Sequence, residues 1–155
     1  MYARQNDLAL EQARKTFDLE PGHITARIWL ANVYESLGMY NEAIALSEES
    51  MKTHLSDQYF LFYAGYAYAK TGRREKAEDA IAKLRDLEKT QPGEPYIFAA
   101  LYAGLGEKDN DFVELERSFN ERDYYVPFLR VDPLMDPLRD DPHFADLIER
   151  IGLPK

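Results

Sequence analysis

Apolar residues recur along this chain at the three- and four-residue spacing that lines one face of a helix. Leu10, Ala13 and Phe17 make one such stripe, and Phe144, Leu147, Ile148 and Ile151 make another near the C-terminus. Pro21-Gly22, the glycines at 38, 72 and 106, and the run Gln91-Pro92-Gly93-Glu94-Pro95 interrupt the pattern. Glycine ends a helix because a left-handed residue there carries no Cβ penalty. The spacing therefore predicts helices over 3–20, 23–37, 41–54, 57–70, 74–90, 95–105 and 109–121. The fourth is unusual: residues 59–68 hold six aromatics among ten positions, more than one helix face can show. Some must be core, and Phe60, Tyr63 and Tyr68 are assigned there.

Set against itself at an offset of 34, the chain superposes Tyr34, Tyr68 and Tyr102, and likewise Gly38, Gly72 and Gly106. Ala31, Gly65 and Ala99 form a column of small residues, and Ala9, Ala43 and Ala77 form another. Small residues are needed where antiparallel helices approach closely, and tyrosine fills the space between one pair and the next. This resembles the tetratricopeptide repeat (TPR), whose pattern runs W-x2-L-G-x2-Y, then A-x3-F, then P. Leu30, Ala31, Tyr34, Gly38 and Ala43 match it first; Ala64, Gly65, Tyr68, Gly72, Ala77 and Ile81 match it next; Phe98, Ala99, Tyr102, Gly106 and Leu115 match it third. Arg27, Leu61 and Pro95 occupy the tryptophan column, and Trp29 lies off it. Asp111 stands in the alanine column, so the last helix is expected to pack with a changed offset.

The resemblance implies an all-α superhelix of antiparallel helix pairs, a TPR solenoid with a short-helix C-terminal cap. Its divisions are a half repeat at 1–22, repeats at 23–56 and 57–91, a divergent third at 92–122, and a capping segment at 123–155. Five of the eight prolines fall in the last 29 residues, which excludes a long regular helix there. Asp132-Pro133, Asp136-Pro137 and Asp141-Pro142 each read as an N-cap followed by proline at the first helical position. The terminal helix they introduce stops at Gly152 and is expected to cover the open end of the array, over Tyr124, Tyr125, Phe128, Leu129 and Leu134. From Leu101 onward the string LYAGLGEKDNDFVELERSF…VDPLMDPLRDDPHFADLIERIGLP resembles the C-terminal ends of bacterial TPR proteins. In those proteins the array follows a winged-helix, serine/threonine kinase or nucleotide cyclase domain. That likeness implies a sensor or scaffold portion of a longer protein. The Leu10–Ala13–Phe17 stripe agrees, being suited to a preceding helix; self-association through it is the alternative.

Composition narrows the function. A formal net charge of −9 argues against a nucleic-acid surface, and no apolar stretch reaches the roughly 20 residues that span a bilayer. The chain has no cysteine, which removes disulfides, thiolate metal sites and cysteine nucleophiles. No phosphate loop, nucleophile elbow or paired catalytic carboxylates are present. His23, His54 and His143 are scattered, and Asp132, Asp136, Asp140 and Asp141 lack the alternation and glycine of a calcium loop. The expectation is therefore no enzyme, no cofactor and no metal.

The concave face of such an array is lined by the first helix of each pair. Its inward row runs Thr25, Ile28, Asn32, Glu35, then Tyr59, Phe62, Tyr66, Ala69, then Tyr96, Ala100, Ala103. Aromatics with polar tips anchor bound segments at low entropic cost, so Ile28, Asn32, Tyr59, Phe62, Tyr66 and Tyr96 are the candidate partner-binding groove. Packing between helices, or cover by the tail, is the other reading of the same residues. A carboxylate clamp is not expected, because Ile28, Phe62 and Tyr96 stand where its lysines would. The functional expectation is a non-catalytic module that binds a protein or peptide segment. The alternative is a regulatory region acting in cis within a larger bacterial signalling protein. The expected compartment is the cytoplasm, or outside it if the parent is membrane-anchored.

Overall fold

A computed structural model describes residues 6–53 and 57–152; the predicted helix starts at 3–5, His54 and the last three residues lie outside them. Among the described residues there is no strand. The helices are α1 (Asn6–Leu19), α2 (Ile24–Ser36), α3 (Tyr40–Met51), α4 (Gln58–Lys70), α5 (Arg74–Glu88), α6 (Pro95–Leu105), α7 (Lys108–Glu121) and α8 (Pro142–Ile151). Two short 3-10 segments, Val126–Phe128 and Pro133–Leu138, lie between α7 and α8.

The 34-residue offset has a physical carrier in the turn. Gly38, Gly72 and Gly106 take φ of 71°, 75° and 75°. The amide of the next residue then reaches back to the tyrosine carbonyl, Met39 to Tyr34 at 2.8 Å, Arg73 to Tyr68 at 2.8 Å and Glu107 to Tyr102 at 2.9 Å. Three copies of one helix ending launch α3, α5 and α7 at Tyr40, Arg74 and Lys108. The changed offset expected from Asp111 is absent. Asp111 donates its amide to Glu107 at 3.1 Å as Ala43 does to Met39 and Ala77 to Arg73, and it is fully buried like both alanines.

Consecutive helices pack against one another, while α2, α4 and α6 also lie side by side as an inner layer. The small column is where they meet. A Cβ on Gly65 would stand 2.9 Å from the Ala80 methyl and 2.9 Å from Leu101 Cδ2. Outside, α5 and α7 are tied by Arg117 to Glu88 at 2.6 Å and by Arg85 to Glu114, with the Arg85 guanidinium 3.6 Å above the Phe98 ring. Phe60, Tyr63 and Tyr68 are buried as assigned. Leu10, Ala13 and Phe17 are not a free stripe: they are half-buried against the core, and Leu8 and Leu19 are the exposed leucines of α1.

The tail does more than cap an end. Its second 3-10 segment packs on α6 and α2, and α8 packs on α7. Leu129, Met135 and Leu138 are buried with Phe144 and Leu147 in the same cluster as α4 and α6. Asp132 and Asp141 cap as expected, accepting from the amides of Leu134 at 2.9 Å and His143 at 3.0 Å. Asp136 does not; it sits inside the 3-10 run and pairs with Arg139 at 2.5 Å. No helix among the described residues is long and apolar enough to cross a membrane.

Candidate functional site

The inner layer concentrates the aromatic row. Phe62 lies 5.0 Å from Tyr63 between ring centroids and 6.5 Å from both Tyr66 and Tyr96, and Tyr66 lies 6.3 Å from Tyr40. The tail closes over this row. The Tyr125 ring stacks on Tyr96 at 4.4 Å and 16°, and the Tyr96 hydroxyl donates to Asp132, which is itself buried. Phe62, Tyr66 and Tyr96 retain only 3%, 3% and 2% of their exposure. The open groove expected at these positions is therefore corrected to a filled one. Each aromatic offers a large apolar area, and Leu129, Leu134, Met135 and Leu138 of the same chain cover it.

Tyr59, at the end of the row, is half-buried and donates to Glu94 Oε1 at 2.8 Å, an oxygen that also accepts from Gln58 at 3.3 Å. Burial, then the Glu94 carboxyl, pushes its phenol up to about 12. Glu35 is buried with both oxygens unpaired among the described residues. Burial holds its carboxyl well above the usual range, opposed by Lys70. A neutral acid is the form that such a site tolerates.

Ile28 and Asn32 are half-buried members of the row on α2. They line a crevice of ≈ 150 Å³ together with Trp29, Tyr63, Tyr124, Tyr125 and Phe128. Helix α2 supplies one wall, Tyr63 of α4 the floor, and the 124–128 segment the other wall. The second wall is held from behind. Arg122, at φ 57°, ends α7 and turns the chain. Asp123 then bridges, one oxygen accepting from the Tyr96 amide at 3.1 Å and the other from Tyr125 at 3.0 Å. With Tyr125 turned in to stack on Tyr96, its neighbour Tyr124 is turned out, 5.4 Å and nearly perpendicular to Tyr125 and 5.7 Å from Phe128. Tyr124 is 74% exposed and Trp29 56%. Asn32 Oδ1 is buried without a hydrogen-bond partner among the described residues, and burial pushes the Tyr63 phenol up, opposed by the Asn32 amide.

Sequence reasoning placed Tyr124 and Phe128 beneath the terminal helix and set Trp29 aside. The signal was there in both cases. A tryptophan one position out of the inward row faces the rim of that row. Of two adjacent tyrosines on an ordered turn, one is directed outward. Among the described residues, no three histidine or acidic side chains converge as a metal site; His143 sits exposed beside Asp141 and Phe112, and His54 lies outside the described residues. Set against known protein families, characterised proteins and solved structures, the chain matches none of them. What the crevice presents chemically is aromatic rings, three of them phenols, one aliphatic side chain and one amide.

Proposed function

We propose that this chain is a TPR-type interaction module that holds a segment of a partner protein and performs no chemistry of its own. The observation that carries the reading is the pair of exposed aromatics, Trp29 and Tyr124, standing at the two lips of a crevice that continues the inner row. Large rigid aromatics with a polar tip supply contact area at low entropic cost and dominate binding where they flank a pocket. The docked segment lies across α2 and the 124–128 turn rather than in the concave face, which the tail fills. Ile28 forms the apolar side of the crevice, and Asn32 is the polar group at its base.

The test is selection of displayed peptide segments on the immobilised chain. Enriched sequences whose binding falls at least tenfold in a Trp29→Ala, Tyr124→Ala double variant support the reading. Both residues are exposed, so the variant keeps its helical circular dichroism. Selection that yields no segment, or segments bound equally by the variant, refutes the site.

A further inference from the structure

The crevice has a chemistry more specific than apolar contact. Five aromatic rings, Trp29, Tyr63, Tyr124, Tyr125 and Phe128, surround a space of ≈ 150 Å³. A void of about that size holds a group comparable to benzene. The faces of such rings carry negative electrostatic potential, and a cation set among them is attracted, most strongly where water is excluded. The remaining polar features point the same way. Among the described residues no lysine or arginine lines the crevice. Asn32 lines it too, its buried Oδ1 without a hydrogen-bond partner among the described residues. Glu94 and Asp123 are the carboxyl groups acting on the Tyr125 wall, and the chain as a whole carries a formal −9.

The kind of cation follows from hydrogen-bond supply. A primary ammonium brings three donors and a guanidinium five, and each must be satisfied or left unmade. Among the described residues the lining offers only neutral acceptors, one amide and three phenol oxygens, and no carboxylate to replace the water that a primary ammonium or a guanidinium gives up. A methylated ammonium is different: the quaternary ion has no donor and the tertiary ion has one. We infer that the crevice is a recognition site for a methylated ammonium head group, caged by Trp29, Tyr124, Tyr125 and Phe128 over Tyr63 and Asn32. The group reaches it at the end of a methylated lysine in the docked segment. The inference rests on the docking reading for the place and adds the chemistry of what enters it.

Trp29 is the only tryptophan in the chain and lines both this crevice and a hollow against α1, so the Tyr124→Ala variant assigns its response to the crevice. The unmodified chain is titrated with choline, with 3,3-dimethyl-1-butanol as the uncharged molecule of the same shape, with n-butylammonium, and with a trimethyllysine peptide beside its unmethylated form. The expected result is a saturable Trp29 response to choline at least about tenfold tighter than to the neutral alcohol or the primary ammonium. It is accompanied by loss of that response in Tyr124→Ala, whose side chain is exposed and whose fold is not at risk. A trimethyllysine peptide binding more tightly than choline places the head group on a partner segment; choline binding as tightly overturns that source. Equal binding of choline and the alcohol, or none by any methylated ammonium, overturns the inference. Displayed segments still lost in the Trp29→Ala, Tyr124→Ala variant would then show that docking stands while the cation does not.

Discussion

Asp111 occupies a position built for alanine. It is fully buried in the column of Ala43 and Ala77, and neither carboxyl oxygen has a hydrogen-bond partner among the described residues. Its place in the first turn of α7 would favour the charged form through the helix dipole, an effect of about 0.3–1 kcal/mol. Burial is larger. It pushes the carboxyl from an ordinary 3.8 to about 8, with Asp141 adding to the rise and Lys108 opposing it. In the folded chain the proton therefore stays on through neutrality, whereas the unfolded chain loses it near pH 4. Over that interval the native state binds one more proton, so stability is fully present below pH 4 and falls as pH rises towards 8. Some four pH units at about 1.4 kcal/mol each make this on the order of 5 kcal/mol, comparable with the whole stability of many domains. Asp111→Ala restores the column and removes the titration. In urea unfolding at pH 5, 7 and 9, the variant should gain on the parent by several kcal/mol between the first and last pH. The comparison cancels the titrating groups that do not act on Asp111. A gap constant to within about 1 kcal/mol across that range would refute the placement of a buried, unpaired carboxyl at 111.

Glu35→Gln should show the same sign: its burial-raised carboxyl withholds stability as pH rises, so the variant gains most in alkaline buffer, checked by thermal melts at pH 6 and 9. Gly65→Ala adds a methyl 2.9 Å from Ala80 and Leu101; the clash, about 1–3 kcal/mol, outweighs the helix propensity gained, about 0.5–1 kcal/mol, and lowers the urea midpoint. Tyr96→Phe leaves the Asp132 carboxylate buried without its hydroxyl donor and should cost about 1–3 kcal/mol in the same assay, with no change in helix content.

What could be read beforehand was what the chain decides locally. The glycine at the end of α2, α4 and α6 needs only its own left-handed backbone to set the turn, so the 34-residue offset appears in letters and in space alike. Closure of the groove was open in the letters, because Tyr125 meets Tyr96 and Asp132 meets the same tyrosine across about thirty residues, with no local pattern to announce either contact. Asp132, Asp136 and Asp141 precede prolines identically. Only packing separates the two that cap from the one that pairs with Arg139. Asp111 misled in the opposite direction. A charged residue in an alanine column suggested a shifted helix, whereas protonation lets the helix stay where it is.

The strap between α7 and α8 also bears on how the chain unfolds. Helix pairs stacked in a row touch only their neighbours, and such arrays melt piecemeal, fraying from whichever end is weaker. Here residues 133–138 rest on α2 as well as α6, linking positions about a hundred apart. An opening at α2 therefore strips cover from α6, and loss of the tail exposes both. Hydrogen exchange should accordingly find α2, α4, α6 and the Pro133–Leu138 segment opening as one unit. Such long-range closure slows folding, since a large loop must shut before its contacts form. In return, the Trp29–Tyr124 lips are held at a fixed separation by the stability of the entire fold.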